Sequence, residues 1–315
     1  MNYDCAVKGE NISKKFKTFT LDIPDLRVPK GFATALIGEN GAGKTTLLNM
    51  LSGIRLDYKG ELTFFDKYSS EEKERRADVK NRIGYTGTGR YYLPQWTVSD
   101  VEEISSLLFD NFDRDEFERY CRELAIFPDS PDGVALKKKC SALSDGTRTK
   151  LMLAGVMARD TDLLLLDEPA SPLDPLMRDK LCQMIGDYIS DGAGEKSVLF
   201  STHNISDMES ITDYAIIMEH GNVVECGFVE DLKEKYILIK GDAQDAEAAS
   251  KILYTMTKNP YGFEGICLAD NLDKLAGMNV SKEIPSLFQI SVAVMKNNTK
   301  TVSYTHLTLP TTPYV

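Results

Sequence analysis

Residues 38–45 form a glycine-rich stretch, GENGAGKT, that sharply restricts the possible folds of this chain. The stretch fits the pattern G-x-x-x-x-G-K-[ST], in which backbone N–H groups wrap a polyphosphate. Only glycine lets the chain approach a ligand so closely and adopt the positive φ values that such a turn requires. An apolar run precedes it (residues 32–37) and a helical pattern follows it (residues 46–51). This order aims a helix N-terminus at the anion and predicts a phosphate-binding loop.

The positions in this loop have distinct expected roles. Lys44 is expected to place its charge against the β- and γ-phosphates, and the hydroxyl of Thr45 is expected to hold Mg²⁺. The other residues predicted to bind nucleotide here are Gly38, Glu39, Asn40, Gly41, Ala42, Gly43 and Thr46. The alternative is a plain glycine-rich turn, but a chance match in a chain of this length occurs on the order of one time in a hundred.

Composition narrows the class of protein. The chain has 315 residues, of which 42% are hydrophobic and 27% charged, as is ordinary for a soluble globular protein. A formal net charge of −11 disfavours a nucleic-acid-binding surface, so no nucleic-acid partner is expected. No apolar run approaches the ~18 residues of a membrane span, and the N-terminus lacks a signal-peptide pattern. The six cysteines lack C-x-x-C spacing and are expected to be reduced thiols.

Apolar runs that alternate with helical patterns predict an α/β fold with a mainly parallel sheet. Residues 162–166, 197–202 and 214–218 are expected to be buried strands. Residues 1–30 are expected to form short antiparallel strands with a turn at Pro24.

From about residue 97 to residue 158 the pattern becomes helical. One helix is expected to begin at residue 98, with Thr97 or Ser99 as its cap, and a second covers residues 113–124.

Two carboxylates follow the run of four leucines at residues 163–166. A buried strand in this position would deliver Asp167 to the Mg²⁺ beside Thr45. The adjacent Glu168 could then act as a general base toward the attacking water. Alone, the pattern is typical of a buried strand with acidic residues at its solvent end. Together with the phosphate loop, it predicts a metal ligand and a catalytic base.

Further motifs resemble those of the ATP-binding cassette (ABC) ATPases. Residues 143–147, LSDGT, resemble the signature motif usually written LSGGQ, and residues 171–175, SPLDP, resemble the D-loop that contains Asp174. His203 stands where the family has its switch histidine, and Phe16 where an aromatic ring stacks on adenine.

The resemblance implies a P-loop NTPase core that uses ATP and Mg²⁺. It implies that Ser144 and Gly146 meet the nucleotide of a second ABC ATPase chain, in a homodimer or heterodimer. It also implies that His203 hydrogen-bonds the γ-phosphate. The overall run resembles the ATP-binding subunits of bacterial antibiotic, lantibiotic and multidrug exporters. The further expected partner is an integral membrane permease subunit, and the expected location is the cytoplasmic face of the cell membrane.

Two positions depart from the family pattern. The glutamine expected about nine residues before Thr97 is replaced by Thr88, which could supply a shorter oxygen ligand to Mg²⁺. In the signature segment, Asp145 adds negative charge beside the triphosphate and Thr147 replaces glutamine. We expect the charge of Asp145 to weaken closure of the dimer, so that either hydrolysis is slow or closure relies on other contacts.

The resemblance extends over residues 1–235, which are expected to form the ABC ATPase domain, with a helical subdomain at about 97–158. Residues 236–300 are expected to be a small C-terminal α+β accessory region. Residues 301–315 resemble a translated sequencing-library adapter, with a natural disordered tail as the alternative.

Two other functions are compatible with these motifs. One is a weakly hydrolysing, ATP-binding regulatory cassette of a heterodimeric ABC complex, and the other is a soluble ABC ATPase without a transport role. The aromatic residues Tyr91, Tyr92 and Trp96 are expected either to anchor the membrane subunit or to pack the helical subdomain.

Overall fold

The computed structural model describes residues 3–87, 91–126 and 137–306, with side chains described as far as residue 298. The strands are β1 Cys5–Lys15, β2 Thr20–Pro29, β3 Ala33–Ile37, β4 Lys59–Phe64, β5 Tyr68–Ser69, β6 Ile83–Thr86, β7 Leu163–Leu166, β8 Ser197–Thr202, β9 Tyr214–Glu219, β10 Asn222–Phe228, β11 Tyr236–Asp242, β12 Thr255–Asn259, β13 Gly262–Leu268 and β14 Val280–Glu283. The α-helices are α1 Lys44–Ser52, α2 Ser70–Arg75, α3 Ala77–Asn81, α4 Val98–Leu108, α5 Arg114–Glu123, α6 Asp145–Met157, α7 Pro175–Asp191, α8 Val229–Lys235, α9 Ala246–Ala249 and α10 Leu287–His306.

The central layer is a six-stranded sheet with the order β10-β9-β3-β8-β7-β6. Its five strands from β9 to β6 run parallel, and only β10 pairs antiparallel. Every residue of β3, β7, β8 and β9 is buried, as expected for parallel strands that are covered on both faces. The predicted α/β fold with a mainly parallel sheet is therefore confirmed.

A four-stranded antiparallel sheet with the order β2-β1-β4-β5 forms the N-terminal layer. The predicted turn at Pro24 is wrong, because this residue lies inside β2. The chain instead reverses between β1 and β2, where the Phe16 N–H donates to the Phe19 carbonyl at 2.7 Å. Strand β2 is an edge strand of this sheet, so a proline without an N–H costs no ladder hydrogen bond on the open side.

Helix α4 begins at a reciprocal cap formed by Thr97 and Asp100. The Asp100 N–H donates to the Thr97 hydroxyl at 3.1 Å, and the Thr97 N–H donates to the Asp100 carboxylate at 2.7 Å. This arrangement satisfies two N–H groups that the first helical turn leaves unpaired. Of the two predicted caps, Thr97 is therefore the one that the chain uses.

The C-terminal region contains a third sheet, with the order β12-β13-β11-β14, and ends in α10. Helix α10 packs back onto the main core, where Leu287, Ile290 and Ala293 are fully buried together with Ile205 and Met208. The C-terminal region thus shares its core with the central sheet, whereas the division of the chain at residue 235 stays a prediction. Within the described residues, no helix is both long enough and apolar enough to cross a lipid bilayer.

We predict that Ile290→Ala destabilises the whole fold. Ile290 is 0% exposed, and truncating such a side chain typically costs about 2–5 kcal/mol. Phe288→Ala is the control, since Phe288 lies two residues away and is 43% exposed. Urea denaturation should place the midpoint of the Ile290 variant well below that of the Phe288 variant. Equal losses would mean that α10 does not form part of the main core.

Candidate functional site

The glycine-rich loop leaves the carboxyl end of β3 and enters α1 at Lys44. Gly41 has a φ of 90° and Gly43 a φ of 106°, a left-handed region that side chains with a Cβ avoid. A Cβ on Gly38 would lie 2.5 Å from the carbonyl oxygen of Met218. The loop therefore needs glycine at all three positions. At Gly38 the reason is the close approach of Met218, and at Gly41 and Gly43 it is the backbone conformation.

Lys44 lies under the loop with only 6% of its surface exposed. Its ammonium donates to the Gly38 carbonyl at 2.7 Å and to the Glu39 carbonyl at 3.3 Å. It also lies 3.3 Å from Oε1 of Glu168. The positive charge is thus placed between the phosphate loop and the predicted base.

Thr45 and Asp167 meet at the carboxyl edge of the central sheet. The Thr45 hydroxyl donates to the two carboxylate oxygens of Asp167 at 2.8 and 3.1 Å, although the residues lie 122 positions apart. Hydroxyl and carboxylate oxygens are the hard donors that Mg²⁺ prefers. Asp167 is 4% exposed and beside the phosphate loop, so these two residues fit the predicted Mg²⁺ site.

Glu168 and His203 form a second pair at this edge. Oε2 of Glu168 lies 2.8 Å from Nδ1 of His203, and Oε1 faces Lys44. Glu168 has a φ of 50°, a conformation that is costly for a residue with a Cβ and that clusters at functional sites. The predicted base therefore contacts both the predicted switch histidine and the loop lysine.

Ser201, which was not among the predicted site residues, holds both carboxylate residues in place. Its hydroxyl donates to Oδ1 of Asp167 at 2.6 Å and accepts the Glu168 N–H at 2.9 Å. Ser201 is fully buried at the end of β8, between β3 and β7. The available signal was its position two residues before His203, at the end of a predicted buried strand.

Tyr85 supports the same edge from β6. Its hydroxyl donates to Oδ1 of Asn49 at 2.9 Å, which links β6 to α1. Burial raises the pKa of Tyr85 to about 12, with a smaller contribution from the charge of Asp167. The phenol is therefore a hydrogen-bond donor across the physiological pH range.

An open cleft of about 750 Å³ lies along the loop. Nine predicted residues line it: Phe16, Glu39, Asn40, Gly41, Gly43, Lys44, Thr45, Thr46 and Glu168. Thr18, Phe19 and His220 also line it and were not predicted. Ala42 is 5% exposed and instead accepts the Gly221 N–H at 3.1 Å through its carbonyl. The aromatic side and the phosphate side of the predicted site thus share one cleft.

The signature segment begins α6 away from this cleft. Ser144 caps the helix by accepting the Thr147 N–H at 3.2 Å, and a Cβ on Gly146 would lie 2.9 Å from the Pro172 carbonyl oxygen. Asp174 likewise caps α7. Among the described residues that line the phosphate-loop cleft, none comes from the signature segment or the D-loop.

Asp145, the acidic residue of the signature segment, has a cation beside it on α6. A guanidinium nitrogen of Arg148 lies 2.7 Å from its carboxylate. Both residues line a second cleft, of about 550 Å³, together with Glu168 and His203. The negative charge of Asp145 is therefore offset on its own helix.

The predicted Mg²⁺ contact of Thr88 lies outside the described residues.

The three aromatic residues expected to anchor a membrane subunit or to pack the helical subdomain are Tyr91, Tyr92 and Trp96. Tyr92 packs against the main core with its ring centroid 6.4 Å from that of Trp96. Tyr91 is 43% exposed and its ring lies edge-on to Tyr92 at 5.0 Å. Local packing thus accounts for two of the rings, whereas Tyr91 remains available at the surface.

A phosphate loop between a strand and a helix, with an aspartate at the end of a nearby parallel strand, defines a P-loop nucleoside triphosphatase. Within that class, residues 21–171 match the family described as "ABC transporter". The chain therefore contains an ABC transporter ATP-binding domain. As an ABC ATPase it uses ATP with Mg²⁺, as the sequence analysis predicted.

The relatives cover most of the chain. The energy-coupling factor transporter ATP-binding protein EcfA2 of Lactobacillus gasseri is 25% identical over 253 residues, which are 79% of this chain and 85% of that protein. An uncharacterized ABC transporter ATP-binding protein of Nostoc sp. strain PCC 7120 is 29% identical over 267 residues, covering 84% of this chain and 77% of that protein. The expectation of an exporter in particular stays a prediction.

Solved structures share the fold. The dimeric ATP-binding cassette MJ0796, bound to ADP and Pi, superposes with a TM-score of 0.59 at 20% identity, over 70% of this chain and 98% of that one. The ATP-binding subunit of an ABC transporter superposes with a TM-score of 0.61 at 21% identity, over 72% of this chain and 92% of that one.

We predict that Ser201→Ala impairs the metal site. Loss of a hydrogen bond that orients a metal ligand typically lowers metal affinity or activity by about 10–100-fold. Ser197→Ala is the matched control, because Ser197 is equally buried on β8 but accepts the Gly31 N–H at 2.9 Å, remote from the site. ATPase activity measured over a range of Mg²⁺ concentrations should fall for Ser201→Ala only. Similar losses in both variants would assign Ser201 a purely structural role.

Proposed function

We propose that this chain is the ATP-hydrolysing motor subunit of an ABC transporter. It works as a dimer with a separate membrane subunit, at the cytoplasmic face of the membrane. The observation that carries the proposal is the contact of Glu168 with both His203 and Lys44, beside the Thr45–Asp167 pair. Lys44, Thr45 and Glu168 also line the cleft of about 750 Å³, which supports nucleotide binding beside this cluster.

Each residue of this cluster has a role that its contacts support. Lys44 binds the terminal phosphates, and Thr45 and Asp167 hold Mg²⁺, which when bound neutralises charge on the phosphate oxygens. Glu168 accepts the proton of the attacking water. His203 orients Glu168 through the contact at 2.8 Å and donates toward the γ-phosphate.

The second half of each site comes from another chain. Ser144 and Gly146 lie at the N-terminus of α6, where free N–H groups and the helix dipole favour a phosphate. They lie outside the phosphate-loop cleft of their own chain, which supports a role toward the nucleotide of a partner. Asp174 caps α7 in the adjacent D-loop segment, and we assign it to the same interface.

A weakly hydrolysing regulatory cassette is the competing function, because Asp145 brings a negative charge to the interface. The ion pair of Asp145 with Arg148 reduces this repulsion. The complete set of Lys44, Asp167 and Glu168 favours an active ATPase. We also propose that the transporter is an exporter, and this part of the proposal rests on the motif resemblance alone. Transport assays in vesicles that contain the membrane subunit would test the direction.

We predict that Glu168→Gln abolishes turnover but leaves ATP binding intact. Removing a general base typically lowers the rate about 10²–10⁴-fold, while the amide keeps the shape of the side chain. Phosphate release measures the loss, and light scattering should detect an ATP-bound dimer. Glu195→Gln is the control, because Glu195 is exposed and pairs with Lys30 outside the cleft. Hydrolysis at the wild-type rate would refute the assignment of the base.

Mixed dimers should test whether the site is shared. Lys44→Ala removes the phosphate contact of one half-site, and Ser144→Arg blocks the other. Each variant alone should be inactive. An equal mixture should regain about a quarter of the wild-type activity, since half of the dimers then have one intact site. No recovery in the mixture would contradict a site shared between chains. Ser144→Asn, which keeps a capping side chain, is the control for loss of the helix cap.

A further inference from the structure

Phe16 has two cations against its ring. Nζ of Lys14 lies 5.7 Å from the ring centroid, and the guanidinium carbon of Arg55 lies 5.3 Å from it. Cations at such distances are attracted to the electron-rich face of an aromatic ring. The Phe19 ring packs at 5.8 Å with a tilt of 38°, so Phe16 is supported by groups from three places in the sequence.

A single carboxylate fixes both cations. Oδ2 of Asp57 accepts from Lys14 at 2.5 Å, and Oδ1 accepts from Arg55 at 3.0 Å. The side chains of Lys14 and Arg55 are 20% and 36% exposed, so both are partly shielded from water. Since one carboxylate spans two cations, neither cation can move from the ring without losing a charge-assisted hydrogen bond.

The same segment is tied to the phosphate-binding helix. The Arg55 N–H donates to the Asn49 carbonyl of α1 at 2.8 Å, just beyond the helix C-terminus at Gly53. Helix α1 begins at Lys44 in the phosphate loop. Near its other end it is bonded to Arg55, which contacts the Phe16 ring. Arg55 therefore links the aromatic side of the cleft to the phosphate side.

We propose that Arg55, held by Asp57, is a positioning residue for the base of the bound nucleotide. It fixes the Phe16 ring at the distance from the phosphate loop at which a purine can stack on it. The inference rests on the proposed function, in which Phe16 stacks on the base. Asp57 offsets part of the positive charge of Arg55. Arg55 therefore acts by holding the Phe16 ring in place rather than by attracting the phosphates.

Two ligands separate these effects. Mg·ATP has a base, whereas Mg·tripolyphosphate has the same phosphates without one. Arg55→Ala should weaken ATP binding about threefold to tenfold, as loss of one cation–ring contact predicts, and leave tripolyphosphate binding unchanged. The KM for ATP should rise by the same factor, while kcat changes little. Calorimetry and steady-state ATPase assays measure these quantities.

Arg27→Ala is the matched control. Arg27 also pairs with an aspartate two residues away, Asp25 at 3.0 Å, but on the exposed edge strand β2. It should change neither affinity. Arg55→Lys keeps a cation near the ring and should restore most of the ATP affinity. Asp57→Asn, which leaves both cations in place but weakens their anchor, should reproduce the defect of Arg55→Ala in part.

A double variant decides between positioning and direct contact. In a Phe16→Ala background, Arg55→Ala should cause no further loss of ATP affinity. An equal loss with tripolyphosphate, a further loss in the Phe16→Ala background, or unchanged ATP binding by Arg55→Ala would each overturn the proposal. Failure of the proposed function has a different signature, because Phe16→Ala would then leave ATP affinity unchanged or Glu168→Gln would leave hydrolysis unchanged.

Discussion

The hydrogen bonds that converge on the Asp167 carboxylate depend on the order of three parallel strands. Because β3, β8 and β7 are neighbours that end at one edge of the sheet, Thr45, Ser201 and Asp167 meet there. The carboxylate is almost fully buried and accepts from two hydroxyls. A buried charge is tolerated only when it is hydrogen-bonded in this way, so the proposed metal site and the sheet topology impose the same constraint.

A second constraint connects this edge with the C-terminal region. The segment after His203 supplies Ile205 and Met208 to the main core, where they pack in the same cluster as Leu287 and Ile290 of α10. Further along α10, the Asn298 amide donates to the Glu219 carboxylate at 2.7 Å, next to the His220 that lines the phosphate-loop cleft. The C-terminal helix therefore contacts two segments that border the site, the one after His203 and the one before His220.

Prediction from the sequence succeeded where a structural feature follows from local chemistry. The glycines of the phosphate loop, the cap at Thr97 and the parallel strands each leave a local pattern. It failed at Pro24, because whether a strand lies at the edge of a sheet depends on its neighbours. It missed Ser201 because a buried serine on a strand has no distinctive pattern until the adjoining strands are known. The weakening expected from the charge of Asp145 leaves out Arg148, which pairs with it one helical turn away.

The amino-acid sequence by itself determined the class of chemistry, since the spacing of glycines, Lys44 and Thr45 is dictated by the shape and charge of a polyphosphate. It also predicted Asp167 as the metal ligand and Glu168 as the base, from the apolar strand before them. Only the tertiary structure decided how these groups are held. Ser201 and Asp57 each fix groups that are far from them in sequence, and a hydrogen bond or an ion pair depends on distances of a few ångströms that only the packed strands and loops set.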